Sequence, residues 1–190
     1  MAPALSDFQP QPAPKATPAA QAAIGGGLVA EAQTFADKLA AWRHDLHQTP
    51  ELGNRLPQTS AYIQARLTEM GIPFATLVDG SCVVGLIGAG AAVAAQGNGT
   101  CTDDQAGTVI MLRGDMDALP VQEETGFSFA SKTPGVSHAC GHDMHTAMLL
   151  GTAKVLSGMQ EELQGTVYFI FQHAEEKSPG GACLLYTSPS

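Results

Sequence analysis

Apolar residues recur at intervals of three and four along the stretch from Leu28 to about Gln48. This spacing is typical of one buried face of an α-helix, and Pro50 ends the helix. The same spacing predicts a second helix from Gln58 to Met70 and a third over "HTAMLLGTAKVLSG", residues 145–158. The residues that follow the spacing in the first helix are Leu28, Val29, Ala32, Phe35, Ala36, Leu39 and Trp42.

Four shorter apolar runs predict strands. "FATLV" and "CVVGLIG" are separated by a turn at Asp79–Gly80 and read as a pair of strands. "TVIMLRG" and "TVYFIFQ" are nearly continuous apolar runs, a pattern typical of strands that are buried on both faces. Because strands interleave with helices, the pattern predicts an α/β fold: a mixed sheet flanked by helices on both faces.

The segments outside this pattern divide the chain into three parts. Residues 1–27 are rich in Ala, Pro and Gln, and we expect a disordered tail with a hinge at Gly25 to Gly27. Residues 28–182 form the folded part, interrupted by an exposed loop from Ala89 to Gly107. Residues 183–190, "CLLYTSPS", resemble a translated sequencing adapter, so we expect a non-native tail; the alternative is a genuine loop.

Charge and composition limit the classes of partner. The 190-residue chain has a formal net charge of −9, and its nine Lys and Arg form no basic stripe. Nucleic acid and anionic membranes are therefore poor partners. No apolar run reaches the ~18 residues that a membrane span needs. The beginning of the chain lacks the pattern of a secretory signal, and the four cysteines show no disulfide spacing, so we expect a cytoplasmic protein.

Three polar clusters flank the predicted strands and the last predicted helix. "TVIMLRG" runs into "DMD", residues 115–117, and "TVYFIFQ" runs into "HAEE", residues 173–176. "SHACGHDMH", residues 137–145, leads into the helix. Ligands of α/β sheets bind at the carboxyl ends of strands, so we expect the three clusters to meet at that edge.

Cys140 and His142 are the leading metal-ligand candidates. A thiolate and an imidazole separated by one glycine can both reach a divalent cation. The alternative is a buried cysteine beside a helix-capping Asp143, with the histidines on the surface. His138 and His145 are close enough to contact the site or a substrate, and we rank them below His142.

Glu175 and Glu176 follow a buried strand, where two adjacent carboxylates repel each other unless a positive charge is near. Neighbouring side chains of an extended chain point in opposite directions, so one glutamate could bind a cation while the other faces a water molecule. This arrangement would supply a ligand and a general base. The alternative is a solvated loop.

Four further residues are weaker candidates. Asp115 or Asp117 could bind the cation or hold a ligand histidine by its second ring nitrogen; the alternative is an Asx turn before a proline. His44 and His47 lie three apart on the first helix, a spacing more typical of a polar face than of ligands.

Four motifs together resemble the amidohydrolase branch of the co-catalytic metallopeptidases, which includes hippurate hydrolase, N-acyl-amino-acid amidohydrolases and indole-acetyl-amino-acid hydrolases. The resemblance covers about Trp42 to Ala182. The motifs are "WRHDLHQTPELG", "LRGDMDALPVQEETGFSFAS", "SHACGHDMHTAMLLGTAKVL" and "GTVYFIFQHAEEKSPGGA".

The resemblance implies a zinc-exopeptidase-like catalytic domain that uses two divalent metal ions, Zn²⁺ or Mn²⁺ with Co²⁺ or Ni²⁺ as alternatives. Its substrate would be an N-acyl amino acid or a short peptide, cleaved at an amide bond. The metal ligands implied are Cys140, His142 and Glu176. Glu175 is implied as the general base, and Asp117 as the residue that orients a ligand.

Members of that branch are about twice as long, with an inserted lid and dimerisation domain and two further histidine ligands. We therefore expect this chain to be the N-terminal part of the catalytic domain, inactive alone, from a protein that forms a homodimer. The alternatives are a metallo-dipeptidase or carboxypeptidase on the same scaffold, an inactive metal-binding fragment, and a thiol hydrolase with Cys140 as nucleophile.

Overall fold

The computed structural model describes residues 18–88 and 108–187. The predicted loop from Ala89 to Gly107 lies outside these described residues, as do most of the predicted N-terminal tail and the last three residues. The described elements are five α-helices, four strands and a short 3-10 helix over Gln160–Glu162. The helices are α1 (Pro18–Gln33), α2 (Ala36–Gln48), α3 (Pro57–Glu69), α4 (His142–Gly158) and α5 (Gly181–Thr187), and the strands are β1 (Phe74–Leu77), β2 (Cys82–Gly88), β3 (Thr108–Asp115) and β4 (Gly165–Gln172).

The four strands form one mixed sheet in the order β1-β2-β4-β3. β1 and β2 are an antiparallel hairpin, and β2 pairs antiparallel with β4. The turn of the hairpin has positive φ at Val78, Asp79 and Gly80, so the turn predicted at Asp79–Gly80 is present. β3 and β4 are parallel, which brings their carboxyl ends to the same edge. The predicted fold class, a mixed sheet flanked by helices, is confirmed.

One face of the sheet carries the hydrophobic core. Val167, Phe169 and Phe171 alternate along β4 and are buried against side chains of α2, α3 and α4. Phe169 and Phe171 are 0% exposed, and burial of large apolar side chains is the main stabilising contribution to such a domain. The core residues outside β4 are Trp42, Leu56, Ile63, Leu67, Ile72, Val83, Ile87, Met116, Leu149, Leu150 and Ala153.

Two details of the sheet differ from the sequence prediction. The sequence predicted helices on both faces of the sheet, but the helices that form the core pack on the face that carries Phe169. The opposite face carries the half-buried Tyr168 and Ile170. β3 is an edge strand rather than a strand buried on both faces, and Val109 and Met111 are 49% and 56% exposed. A continuous apolar run reports that a strand is hydrophobic, but it does not report how many neighbouring strands the sheet provides.

The N-terminal helix also differs from the prediction. A single helix from Leu28 to Gln48 was predicted, but α1 ends at Gln33 and α2 begins at Ala36. α1 begins at Pro18 and includes Gly25 to Gly27, which were predicted as a hinge in a disordered tail. Alanine has the highest helix propensity, and the alanine-rich run before these glycines favours the longer helix.

The other helices and the C-terminal segment agree with the predictions or leave them open. α3 and α4 match the predicted helices to within a few residues. α5 includes the first residues of the segment 183–190, and the interpretation of that segment as non-native stays a prediction. Among the residues that the structure describes, no helix is both long enough and apolar enough to cross a membrane.

Candidate metal centre

The parallel pairing of β3 and β4 sets the position of two polar clusters. Asp115 at the end of β3 is in register with Gln172 at the end of β4, and the Met116 N–H donates to the Gln172 carbonyl at 2.8 Å. Residues 115–117 and 173–176 therefore leave the sheet side by side, as the sequence predicted. α4 packs against β3 at Gly114, where a Cβ atom would lie 3.1 Å from the His145 carbonyl oxygen.

The third cluster reaches the same edge through the turn before α4. Gly141 has φ +89°, a left-handed conformation that glycine adopts without steric cost, and it is the N-cap of α4. The carbonyl of Gly141 accepts from the Met144 N–H at 2.9 Å. Cys140 is exposed and Asp143 lies in the first turn rather than at the cap. This geometry does not match the alternative of a buried cysteine beside a capping aspartate.

The His142 ring is held so that one nitrogen faces the site. Its Nδ1 lies 2.8 Å from the Asp117 carbonyl oxygen, which can only accept, so Nδ1 carries the proton. In the neutral ring Nε2 then has a free lone pair, which is the form that binds a metal. The pKa of His142 is raised by the nearby carboxylate of Asp117, whose Oδ1 is 3.4 Å from Nδ1, although burial acts in the opposite direction.

The two glutamates are placed by a bent backbone and by the side chain of Asp117. Ala174 has φ +50°, so the chain is not extended there. The Asp117 carboxylate accepts the N–H of Glu175 and the N–H of Glu176, each at 3.0 Å. Both glutamate carboxylates lie 3.9 Å from His142 Nε2. The expectation that they point in opposite directions was wrong, because it assumed an extended chain.

Asp117 is buried, with 1% exposure, and it is ionised in this arrangement. Burial acts to raise the pKa of Asp117, but the hydrogen bonds from His142, Glu175 and Glu176 outweigh burial and hold this pKa below its usual value. The sequence offers Asp117 as a residue that holds a ligand histidine by its second ring nitrogen. The structure adds that its carboxylate orients the turn that carries both glutamates.

Three ligand types converge at this edge. The thiol of Cys140, the imidazole of His142 and the carboxylate of Glu176 each place one ligand atom within 4.8 Å of the others. The hydrogen bond to Glu176 raises the pKa of the exposed Cys140 thiol, and desolvation by neighbouring groups and the negative charge of the surrounding carboxylates act in the same direction. Such surroundings disfavour a free thiolate nucleophile. A divalent cation would relieve the repulsion and deprotonate the thiol, so this donor set fits a metal ion.

A second set of possible ligands, Asp115, His142 and His145, also has its ligand atoms within 4.8 Å of one another. It shares His142 with the first set. Asp115 already forms an ion pair with Arg113, because Nε and a terminal nitrogen of the guanidinium both lie 2.8 Å from Asp115 Oδ1. The guanidinium charge opposes a cation there, so the set containing Cys140 is the better metal site.

The structure also shows polar residues near the site that the sequence pattern missed. His47 is buried rather than on a polar face, and its ring contacts Asp143 at 2.8 Å and Glu123 at 3.2 Å. Arg43 donates to the same Asp143 oxygen at 2.9 Å. The backbone N–H of Ser131 and neighbouring polar contacts lower the pKa of Glu123 to about 2. No local spacing indicates these contacts, because the partners are far apart in sequence.

The three remaining candidate histidines have different surroundings. His44 stacks on Phe129 with 3.7 Å between ring centroids, and the exposed His145 stacks on His142 at 5.3 Å. His138 is 5% exposed, and neither of its ring nitrogens has a hydrogen-bond partner among the described residues. Burial lowers the pKa of His138 to about 4. None of the three contributes to the set formed with Cys140.

Comparison with known proteins identifies relatives of the chain. Residues 111–187 match the peptidase family M20/M25/M40. The chain is 44% identical over 156 residues to the N-acyl-L-amino acid amidohydrolase of Geobacillus stearothermophilus, covering 82% of this chain and 37% of that protein. It is 41% identical over 157 residues to the IAA-amino acid hydrolase ILR1-like 5 of Arabidopsis thaliana, covering 83% and 33%.

A solved structure supports the same relationship. The Bacillus subtilis YXEP protein, a dinuclear metal binding peptidase from the M20 family, superposes with a TM-score of 0.69 and 39% identity, covering 81% of this chain and 40% of that one. The chain spans about a third of the length of the curated relatives it matches. These findings confirm the resemblance to the amidohydrolase branch that the motifs indicated.

Proposed function

Because the chain belongs, over the residues that match, to the amidohydrolase branch of peptidase family M20/M25/M40, we propose that it forms part of the catalytic domain of a metal-dependent hydrolase. Its substrates are N-acyl amino acids, cleaved at the amide bond. The observation that carries the proposal is the convergence of Cys140, His142 and Glu176, with the carboxylate of Glu175 beside them.

Cys140, His142 and Glu176 would hold a divalent cation. Bound there, the cation would polarise an amide carbonyl and make a water molecule more acidic. Glu175 is the proposed general base, because its carboxylate is 41% exposed and lies beside the ligands rather than among them. Glu175 accepts the proton of the attacking water and returns it to the leaving amine. Asp117 keeps Glu175 in place through the N–H that its carboxylate binds.

The substrate class is supported by the names of the relatives, which act on N-acyl-L-amino acids and on IAA-amino acid conjugates. The cation is proposed to be one of two, as in the dinuclear structural relative. A thiolate ligand favours Zn²⁺, whereas the carboxylates also suit Mn²⁺. We propose a reducing compartment such as the cytoplasm, because Cys140 must remain a thiol to bind the cation. A homodimer of the whole protein stays a prediction.

The proposal is tested on the protein expressed from the complete gene that encodes this chain. Release of free amino acid from N-acetyl and N-benzoyl amino acids is measured before chelation, after it, and after Zn²⁺ or Mn²⁺ is restored. Glu175→Gln removes the proposed base and is expected to lower kcat about 10²- to 10⁴-fold. Glu161→Gln, an exposed glutamate on the 3-10 helix, is the matched control and is expected to keep full activity.

Activity that survives exhaustive chelation, or that Glu175→Gln leaves intact, would refute the proposal. Hydrolysis of unblocked dipeptides with no activity on N-acyl amino acids would instead support the dipeptidase alternative.

A further inference from the structure

A buried polar network lies next to the proposed ligands but contains none of them. Asp143, in the first turn of α4, accepts from Arg43 Nε at 2.9 Å and contacts His47 Nδ1 at 2.8 Å, both through Oδ2. The other ring nitrogen of His47 lies 3.2 Å from Glu123 Oε1. These four residues, here called the Asp143 network, join α2, α4 and the segment that follows β3.

The network is strongly charged and poorly hydrated. Asp143 is 1% exposed and His47 is 6% exposed. Both nitrogens of the His47 ring face carboxylate oxygens, which accept and do not donate when ionised. Buried ion pairs often contribute little net stability, because desolvation of the charges offsets their attraction. A contribution to stability therefore does not explain the Asp143 network well, and its position next to the proposed ligands points to another role.

Asp143 follows His142 directly in the chain. Fixing the Asp143 side chain to α2 fixes the first turn of α4, and with it the backbone from which the His142 ring extends. Nε2 of His142 faces the cation site because Nδ1–H is hydrogen-bonded to the Asp117 carbonyl, with 2.8 Å between Nδ1 and the oxygen. That hydrogen bond is made to a different part of the chain, the segment that follows β3, so the turn has to be held against both α2 and that segment.

We propose that the Asp143 network positions His142: the contacts of Asp143 with Arg43 and His47 hold the ring in its Nδ1-protonated form with Nε2 aimed at Glu176. Asp143 and His47 are then positioning residues for the metal centre. This inference rests on the proposed function only for the identity of the ligand, because the state of the His142 ring can be measured without a metal ion.

Two substitutions of His47 separate the two halves of the network. His47→Asn places an amide nitrogen near the position of Nδ1 and preserves a donor to Asp143. His47→Gln places its amide near the position of Nε2 and preserves only the contact with Glu123. Asp143→Asn removes the carboxylate charge at constant shape. His44→Asn is the matched control, since His44 is on the same helix and stacks on Phe129, a ring that also packs against Arg43 and His47, but is not itself one of the four residues of the network.

Two readouts are measured on the full 190-residue chain. Long-range ¹H–¹⁵N NMR, at a pH where the imidazoles are neutral, reports which nitrogen of His142 carries the proton. Titration with Co²⁺ reports the affinity of the site. Asp143→Asn and His47→Gln are expected to give a mixed tautomer of His142 and to weaken Co²⁺ binding about 10- to 100-fold. His47→Asn and His44→Asn are expected to resemble the unsubstituted chain in both readouts.

A pure Nδ1–H tautomer in folded Asp143→Asn, or unchanged Co²⁺ affinity in that variant, would overturn the inference, as would an equal loss in His44→Asn. If Asp143→Asn does not fold, the comparison of His47→Gln with His47→Asn decides in the same way. If the unsubstituted chain binds no Co²⁺, the proposed metal centre fails, and the tautomer measurement alone still supports or overturns the positioning role.

Discussion

Replacement of Asp117 by asparagine tests how the turn with the two glutamates is held. The Asp117 carboxylate accepts two backbone N–H groups at 3.0 Å, one with each oxygen. Asparagine keeps one oxygen and turns an NH₂ group toward the second N–H. One hydrogen bond to a charged group, with a contribution of about 1.5–3 kcal/mol, is therefore lost. We expect Asp117→Asn to lower the free energy of unfolding by about 2–3 kcal/mol at neutral pH.

The pH dependence gives a second, independent check. The pKa of Asp117 is lower in the folded chain than in the unfolded chain, so ionised Asp117 contributes stability above the unfolded pKa of about 3.9. That stability is lost as the pH falls through the folded pKa. Asparagine does not titrate, so the difference between the two proteins should narrow as the pH falls below about 4.

Urea unfolding of the 190-residue chain, followed by circular dichroism at pH values from neutral to acid, measures both effects. Asp45→Asn is the matched control, because Asp45 is exposed and accepts a single hydrogen bond from the Tyr62 hydroxyl at 2.8 Å. The control is expected to change stability by less than about 0.5 kcal/mol. A loss as small as the control's, or a difference that stays constant in acid, would refute the role assigned to Asp117.

Three further predictions concern the stability of the domain. Burial lowers the pKa of His138 to about 4, so the free energy of unfolding should fall by about 3 kcal/mol as the pH drops from 6.5 to 4. His138→Phe should flatten that part of the plot of urea midpoint against pH. In Gly181→Ala the new Cβ would collide with the His173 carbonyl oxygen, so a lower Tm and weaker Co²⁺ binding are expected, and an unchanged Tm would contradict the contact. Phe169 is 0% exposed, so Phe169→Ala should lower the free energy of unfolding, measured with urea, by about 3–5 kcal/mol. Met111 is 56% exposed, so Met111→Ala should lower it far less.

The sequence predicted the placement of the site because the relevant signals are local. The polar residues that follow "TVIMLRG" and "TVYFIFQ" mark strand ends, and β3 and β4 are parallel and adjacent, so the ends coincide. The glycine between Cys140 and His142 indicated a tight turn, and Gly141 has the left-handed conformation that such a turn needs. These local features left open which of the two glutamates joins Cys140 and His142, and the choice of Glu176 rested on the resemblance to known amidohydrolases.

The features that the sequence missed depend on distant partners or on backbone conformation. Arg43 and Asp143 are separated by 100 positions, so no helical spacing indicates their contact. The common direction of the two glutamate side chains depends on the positive φ of Ala174, a conformation that alanine seldom adopts. The edge position of β3 depends on the order of strands in the sheet, which an apolar run does not specify.

The central claim is that Cys140, His142 and Glu176 bind a divalent cation. The most direct test is the absorption spectrum of the reduced 190-residue chain loaded with Co²⁺, in which a thiolate ligand produces a charge-transfer band in the near ultraviolet. The account predicts that band, its loss in Cys140→Ser, and its persistence in Cys82→Ser, since Cys82 is buried in the core and burial raises its pKa to about 11. A cobalt-loaded chain without the band, or a band that survives Cys140→Ser, would contradict the account.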